Sequence, residues 1–256
     1  MQFVIVKSKH IKLLLCLVLI MVLLAINFGG ENALAQVYFN KTYRKVPIYS
    51  VQTDQKVVAI SFDAAWGADK TQSIMKVLKD HDCNATFFLV GFWVDKYPDI
   101  VKSIFDQGFD IGTHSNTHPD LTKQSADTVK LELSTSMQKI TAITNNPVKI
   151  FRPPFGAYNN TVIDVASSLG LTTIQWDVDS LDWKGIPHST ISSNILTKVH
   201  NGSIILCHNN ADHIVEALPT VLSCLKDRGY KVVSVYDLIY KDNYTINSQG
   251  IQISKN

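Results

Sequence analysis

No C-x-x-C pair, no G-x-G-x-x-G turn, no Walker loop and no block of like charge occurs in these 256 residues. Each absence removes a class of function. One of the four cysteines, Cys16, lies in an N-terminal apolar run, leaving Cys83, Cys207 and Cys224; an odd set without paired spacing is neither a disulfide framework nor a zinc ribbon. A Cys83–Cys224 or Cys207–Cys224 bridge stays open in an oxidising compartment. The glycine fingerprint that a Rossmann dinucleotide site wants after the first apolar strand is missing, and so is the lysine-bearing loop of the P-loop nucleotide hydrolases. The 24 basic and 22 acidic residues are scattered and leave a net charge of +2, so nothing offers a nucleic-acid surface or a basic membrane face.

What is present begins with an address. Lys7, Lys9 and Lys12 precede an apolar run from Leu13 to Ile26, followed by "FGGENALAQ" with Ala33 and Ala35 around Leu34. Residues 1–35 read as a secretory signal cleaved after Ala35, or as an N-terminal membrane anchor. The run is shorter than the roughly 20 apolar residues of a comfortable span, although short spans can thin the bilayer. In either case the remainder works outside the cytoplasm and meets a membrane only through this segment. Residues 36–55 form an N-terminal extension, a leading strand or a tether. Residues 56–240 form one domain, and the polar stretch 241–256 reads as a flexible tail.

Within residues 56–240, short β-rich runs alternate with amphipathic ones. "KVVAISFD", "ATFFLVG", "FDIGTH", "VKIFRPP", "LTTIQWD", "GSIILCH" and "YKVVSV" predict strands, and 71–80, 99–107, 126–143, 162–169, 189–199 and 214–227 predict helices. Gly108, Gly170 and Gly229 fall where left-handed helix caps are wanted. Strands apolar almost throughout belong to a parallel sheet covered on both faces. An open sheet and a closed barrel both fit this alternation. The reactive side chains favour the barrel, because Asp63, His114, Arg152, Asp177, Asp179 and His208 fall at or just past the carboxyl ends of different strands, the face on which β/α barrels keep their sites. The expected fold is therefore α/β, a distorted (β/α)7-type barrel.

Each of these residues also has a plainer reading. Asp63 in "SFDAAWG" is a candidate helix cap. His114 and His118, spaced i, i+4 in "HSNTH", share a metal if the loop turns helical, yet such pairs also arise by chance. Arg152 sits in "FRPPFG", where prolines stiffen the backbone. His208 ends a buried run where an unpaired imidazole is costly. Asp177, Asp179 and Asp182 crowd one loop, so that without cations they perturb one another. Asp63 with Asp179 as a glycosidase pair is a further reading, requiring carboxyls roughly 5–10 Å apart.

Taken in order, "SFDA", "HSNTH", "RPPFG", "DSLDW" and "LCH" resemble the five motifs of the polysaccharide deacetylase (NodB-homology) family of carbohydrate esterases, with the likeness covering Lys56 to Tyr240. "FDAAWG" with "ATFFLVGFWVDKYP" is similar to the branch associated with spore formation. The resemblance implies a metal-assisted hydrolase, acting as a monomer, that removes N-acetyl groups from a wall polysaccharide such as peptidoglycan. Asp63 matches the general base, His208 the general acid, Asp182 the carboxylate that tunes it and Arg152 the partner of the base. His114 and His118 match metal ligands, of zinc or else cobalt or nickel. The Phe155 N–H matches an oxyanion donor, and Trp183 and Leu206 the walls around the acetyl methyl. The departure is Ala64, which stands where the family has its third metal ligand. Asp63 itself, Asp69 or Asn116 is then left to complete the shell, or the chain binds metal weakly, or it binds wall glycan without hydrolysing it.

Overall fold

The computed structural model describes residues 8–28 and 44–255. The chain divides into two units, Met1–Arg44 and Lys45–Asn256. In the first, Ser8–Phe28 forms helix α1. Among the described residues no helix is long and apolar enough to cross a membrane. The expected cleavage site at Ala35 lies outside the described residues.

The second unit is a curled parallel half-barrel. Its strands are β2 (Val57–Ala64), β3 (Thr86–Leu89), β4 (Asp110–Thr113), β5 (Ile150–Phe151), β6 (Thr172–Thr173), β7 (Val178–Asp179), β8 (Ile204–His208) and β9 (Lys231–Val233). They run in the order β6-β5-β4-β3-β2-β8-β7, with β9 beside the start of β2. All seven expected strands are present. The run "LTTIQWD" breaks early, because strand pairing resumes only at β7.

Strand alternation sorts β2 into two layers. Val58, Ile60, Phe62 and Ala64 pack into the core shared with the helices, whereas Ala59 joins Ile48, Phe88, Ile150, Ile174 and Ile204 inside the curl. By the same parity Ser61 and Asp63 point inward. The outer layer comprises α2 (Thr71–Asp80), α3 (Gly91–Lys96), α4 (Pro98–Asp106), α5 (Ala126–Thr144), α6 (Asn160–Ser168), α7 (His188–Leu196) and α8 (Ile214–Asp227). Their buried stripes carry the helical period: Ile74, Met75 and Leu78 on α2, and Leu218, Val221, Leu222 and Leu225 on α8. Ser125 caps α5 by accepting from the Thr128 N–H. Gly108, Gly170 and Gly229 close α4, α6 and α8 at φ 79°, 75° and 83°, as their spacing predicts.

The C-terminal end of this unit corrects the sequence reading, and the N-terminal end decides between its alternatives. The stretch expected as a flexible tail instead forms a hairpin of β10 (Tyr244–Ile246) and β11 (Ile251–Ser254), and β11 pairs in parallel with β1 (Ser50–Val51). Gln252 is fully buried there, its side chain accepting from the Tyr240 N–H at 2.9 Å and donating to the Tyr240 carbonyl at 2.8 Å. That buried amide is the signal that polar composition hides. Of the extension before Lys56, the described residues 44–55 include the short leading strand β1, with Ile48 bridging to Ile174. The four cysteines are free.

Candidate active site

Asp63 stands on the inner face of β2, 7% exposed. Arg152, just past β5, is wholly buried; its Nη1 donates to Asp63 Oδ1 at 2.8 Å and its Nη2 to the Gln175 carbonyl at 3.1 Å, with the guanidinium 4.2 Å from the centre of the Phe88 ring. Burial pushes the Asp63 carboxyl up, but Arg152, with help from His114 and His208, outweighs it and holds the group below its usual range. Asp63 is therefore a carboxylate, fixed in direction by one oxygen and free to act through the other.

His114 follows β4 and presents that second oxygen with a lone pair. Its Nδ1 lies 2.7 Å from the Arg152 carbonyl, which can only accept, so Nδ1 carries the proton and Nε2 faces Asp63 Oδ2 at 3.5 Å. Burial drives His114 below the ordinary imidazole range, against the pull of Asp63. The helical turn on which the i, i+4 reading of "HSNTH" is conditional does not form. Ser115 and His118 are left-handed, at φ 70° and 59°. The rings still meet, with centroids 4.9 Å apart. Glu132 of α5 stabilises this tight loop, accepting from the Asn116 N–H (2.9 Å), the Thr117 N–H (2.8 Å) and the Thr117 hydroxyl (2.7 Å). Burial, then His114, lowers the His118 pKa to about 4.

Beside Asp63, on the neighbouring strand, His208 ends β8. The fully buried Asp182 holds it twice, accepting from His208 Nδ1 and from its backbone N–H, both at 2.7 Å. Burial works to lower the His208 pKa, yet the bond and charge of Asp182 prevail, joined by Asp63 and Asp179, and raise it above the ordinary value. Asp179 positions Asp182 through the backbone: its Oδ1 accepts from the Leu181 N–H at 2.8 Å, supporting the left-handed Leu181 (φ 58°) that turns Asp182 beneath the imidazole. Asp177 is a correction. It lies at the opposite end of β8, where it accepts from Ser203 Oγ (2.8 Å) and the Ile204 N–H (2.7 Å), and it closes a turn instead of serving the site.

These groups share one cavity of about 600 Å³, lined by Asp63, His114, His118, Asp179, Asp182, Leu206 and His208. Its rim is aromatic: Phe155, Trp183 and Trp66 are 69%, 59% and 61% exposed. Phe155 is left-handed (φ 59°) in the turn Pro154–Gly156. Sequence reasoning missed Glu132 and Trp66; Glu132 carries no local signal, whereas Trp66 stood within the first motif.

A metal requires a third ligand. Asn116 is turned away, its Oδ1 accepting from Lys139 at 2.8 Å, and Asp69 is exposed and absent from the cavity lining. The Ala64 methyl is fully buried in the helix-side core. Among the described residues no three His, Cys, Asp or Glu side chains form a metal shell. Catalytic zinc generally has three protein ligands, so His114 and His118 do not by themselves fit the family's metal.

A parallel β/α half-barrel carries a carboxylate and an imidazole side by side at the carboxyl ends of adjacent strands, the face on which such folds keep their sites. The chain belongs to the polysaccharide deacetylase family: residues 50–174 match the family model of that description. It is 31% identical to the peptidoglycan-N-acetylmuramic acid deacetylase PdaA of Bacillus subtilis, over 78% of each chain. It is 34% identical to YlxY of Bacillus subtilis over 75% of its own length, spanning only 60% of that relative. Among solved structures, a CE4 family pseudoenzyme from Bacillus anthracis superposes with a TM-score of 0.73 at 36% identity, covering 75% of this chain and 68% of the other. A mutant of that pseudoenzyme described as having restored enzymatic activity matches at 37% identity, also with a TM-score of 0.73, covering 75% and 71%.

Proposed function

We propose that the chain is a carbohydrate N-deacetylase acting outside the cytoplasm, in the cell wall or spore envelope, on N-acetylated amino sugars of peptidoglycan. The observation that carries this reading is the pairing of Asp63 and His208, one held as a carboxylate by Arg152 and the other biased toward imidazolium by Asp182. With an acetamido group between them, Asp63 takes a proton from water as its oxygen adds to the carbonyl carbon. The oxyanion accepts from the Phe155 N–H. His208, its Nδ1 engaged by Asp182, gives the Nε2 proton to the departing nitrogen. The C–N bond breaks, leaving acetate and a free amine, and Leu206 and Trp183 enclose the methyl.

Ala64 favours a second reading, a wall-glycan binder that does not hydrolyse. Acetate release from wall fragments and chitooligosaccharides, measured with zinc, cobalt or nickel, separates the two. Release that disappears in Asp63→Asn supports the enzyme; glycan binding without acetate under any metal supports the binder.

A further inference from the structure

Trp66 is the most conspicuous side chain that the catalytic reading leaves unused. The loop carrying it does not depend on it. The Gly67 carbonyl accepts from Trp93 Nε1 at 2.6 Å and from Asn209 Nδ2 at 3.0 Å, and Asn209 is 1% exposed. Gly67 is left-handed (φ 64°), and a Cβ there would meet the Asn210 side chain at 2.7 Å. Tryptophan 66 thus projects from a backbone already fixed on both sides. Its side chain is 61% exposed and lies against two rings, His118 edge-on at 5.0 Å and Phe92 at 6.3 Å.

An exposed indole on a rigid loop at a cavity rim has the form of a binding anchor, because the ordering cost of its backbone is met before the ligand arrives. The chemistry around it selects the ligand. The cavity that Trp66 lines offers carboxylates, imidazoles and the carboxamide side chains of Asn209 and Asn210, together with the rings of His118 and Phe155, which meet edge to face. A ligand with an apolar face and a hydroxylated edge satisfies both, as a pyranose does. Trp183 stands next to Asp182 on the His208 side, whereas Trp66 contacts His118 on the Asp63 side.

We propose that Trp66 is a stacking platform for the sugar adjoining the one presented to Asp63 and His208, and so makes the site selective for oligomeric over monomeric N-acetylated glycan. This rests on the glycan reading above. Calorimetric titration of the full-length, metal-free chain with a tetramer and a monomer of N-acetylglucosamine tests it, using Trp66→Ala, Trp66→Leu and Trp66→Phe. Loss of stacking is expected to weaken tetramer binding about tenfold or more in the Ala and Leu variants, with Phe close to wild type and monomer binding unchanged. Since the indole is exposed, thermal midpoints should stay within a degree or two. Unaltered tetramer binding by both Ala and Leu variants overturns the platform alone. A wild-type chain that binds neither sugar overturns the glycan reading, and the platform with it.

Discussion

Asp63 and His208 are direct register partners on the adjacent parallel strands β2 and β8, and each is fixed from outside the pair, Asp63 by Arg152 and His208 by Asp182. Neighbouring strands lie about 4.8 Å apart, so sheet geometry alone sets the two groups side by side on one face. Their backbone spacing cannot change without breaking the ladder. If they are base and acid, Asp63→Asn and His208→Gln each reduce acetate release by about 10²–10⁴-fold, while glycan affinity changes little. Equal loss of affinity and turnover would instead assign the pair to binding.

The raised His208 pKa predicts where activity falls with pH. Asp63, held below 3.8, stays ionised in any ordinary buffer, whereas His208 must keep its proton, so turnover declines as pH rises through a value above 6.5. Asp182→Asn removes the main raising influence and is expected to move this alkaline limb to lower pH. The linkage has the same sign. A group whose folded pKa is raised stabilises the fold below its unfolded value, here about 6.5, and loses that contribution as pH passes the folded value. The stability gap between wild type and Asp182→Asn should therefore be widest below pH 6.5 and narrow above it, as denaturant titrations at several pH values would show.

Arg152→Met tests the buried ion pair. Removing the guanidinium leaves Asp63 in the core without its principal counter-charge, a change that costs about 3–5 kcal/mol in buried pairs. Both stability and the acid limb should move: the midpoint of denaturation falls, and Asp63 titrates at higher pH. Arg152→Met with Asp63→Asn should recover much of the lost stability, because the orphaned charge is gone.

Much of this organisation was readable in advance where it depends on local pattern. The seven buried strands, the helices over 71–80 and 214–227, and the three closing glycines follow from apolar period and cap chemistry. The order of motifs along strand ends gave Asp63, His114, Arg152 and His208 as one cluster. What stayed hidden depends on distant partners. The "HSNTH" loop is not helical because Glu132, a helix away, rewards a different backbone. Asp177 and Asp179 are two residues apart, yet Asp177 is tied to Ser203 and Ile204 at the start of β8 while Asp179 lines the cavity. The tail's hairpin depends on Gln252 reaching Tyr240.

Glu132 therefore makes its own prediction. Its carboxylate satisfies three donors that hold Ser115 and His118 in left-handed geometry. Glu132→Ala leaves those donors to water and should cost about 1–2 kcal/mol, while the nuclear Overhauser contact between the His118 and Trp66 rings weakens. Glu132→Gln keeps one acceptor oxygen and should fall between. A variant with the ring contact intact would remove Glu132 from any role in placing His118.

Ala64→Asp addresses the missing ligand through stability as well as activity. A carboxylate introduced at a fully buried position in the apolar core between sheet and helices loses its hydration, and an uncompensated buried charge is strongly destabilising. The apo variant should unfold at a lower temperature than wild type. Zinc should reverse that deficit if the new carboxylate joins His114 and His118, both kept neutral by burial, since binding to the folded state alone stabilises it by mass action. Wild type should show a smaller zinc-induced rise. Acetate release that appears only in the zinc-loaded variant places the wild-type chain among non-hydrolysing glycan binders. Release by both, with the variant merely tighter for zinc, keeps the chain an enzyme whose Asp63 and His208 work with a weakly held ion. A variant that zinc does not stabilise shows that position 64, turned toward the helices, no longer reaches the imidazoles.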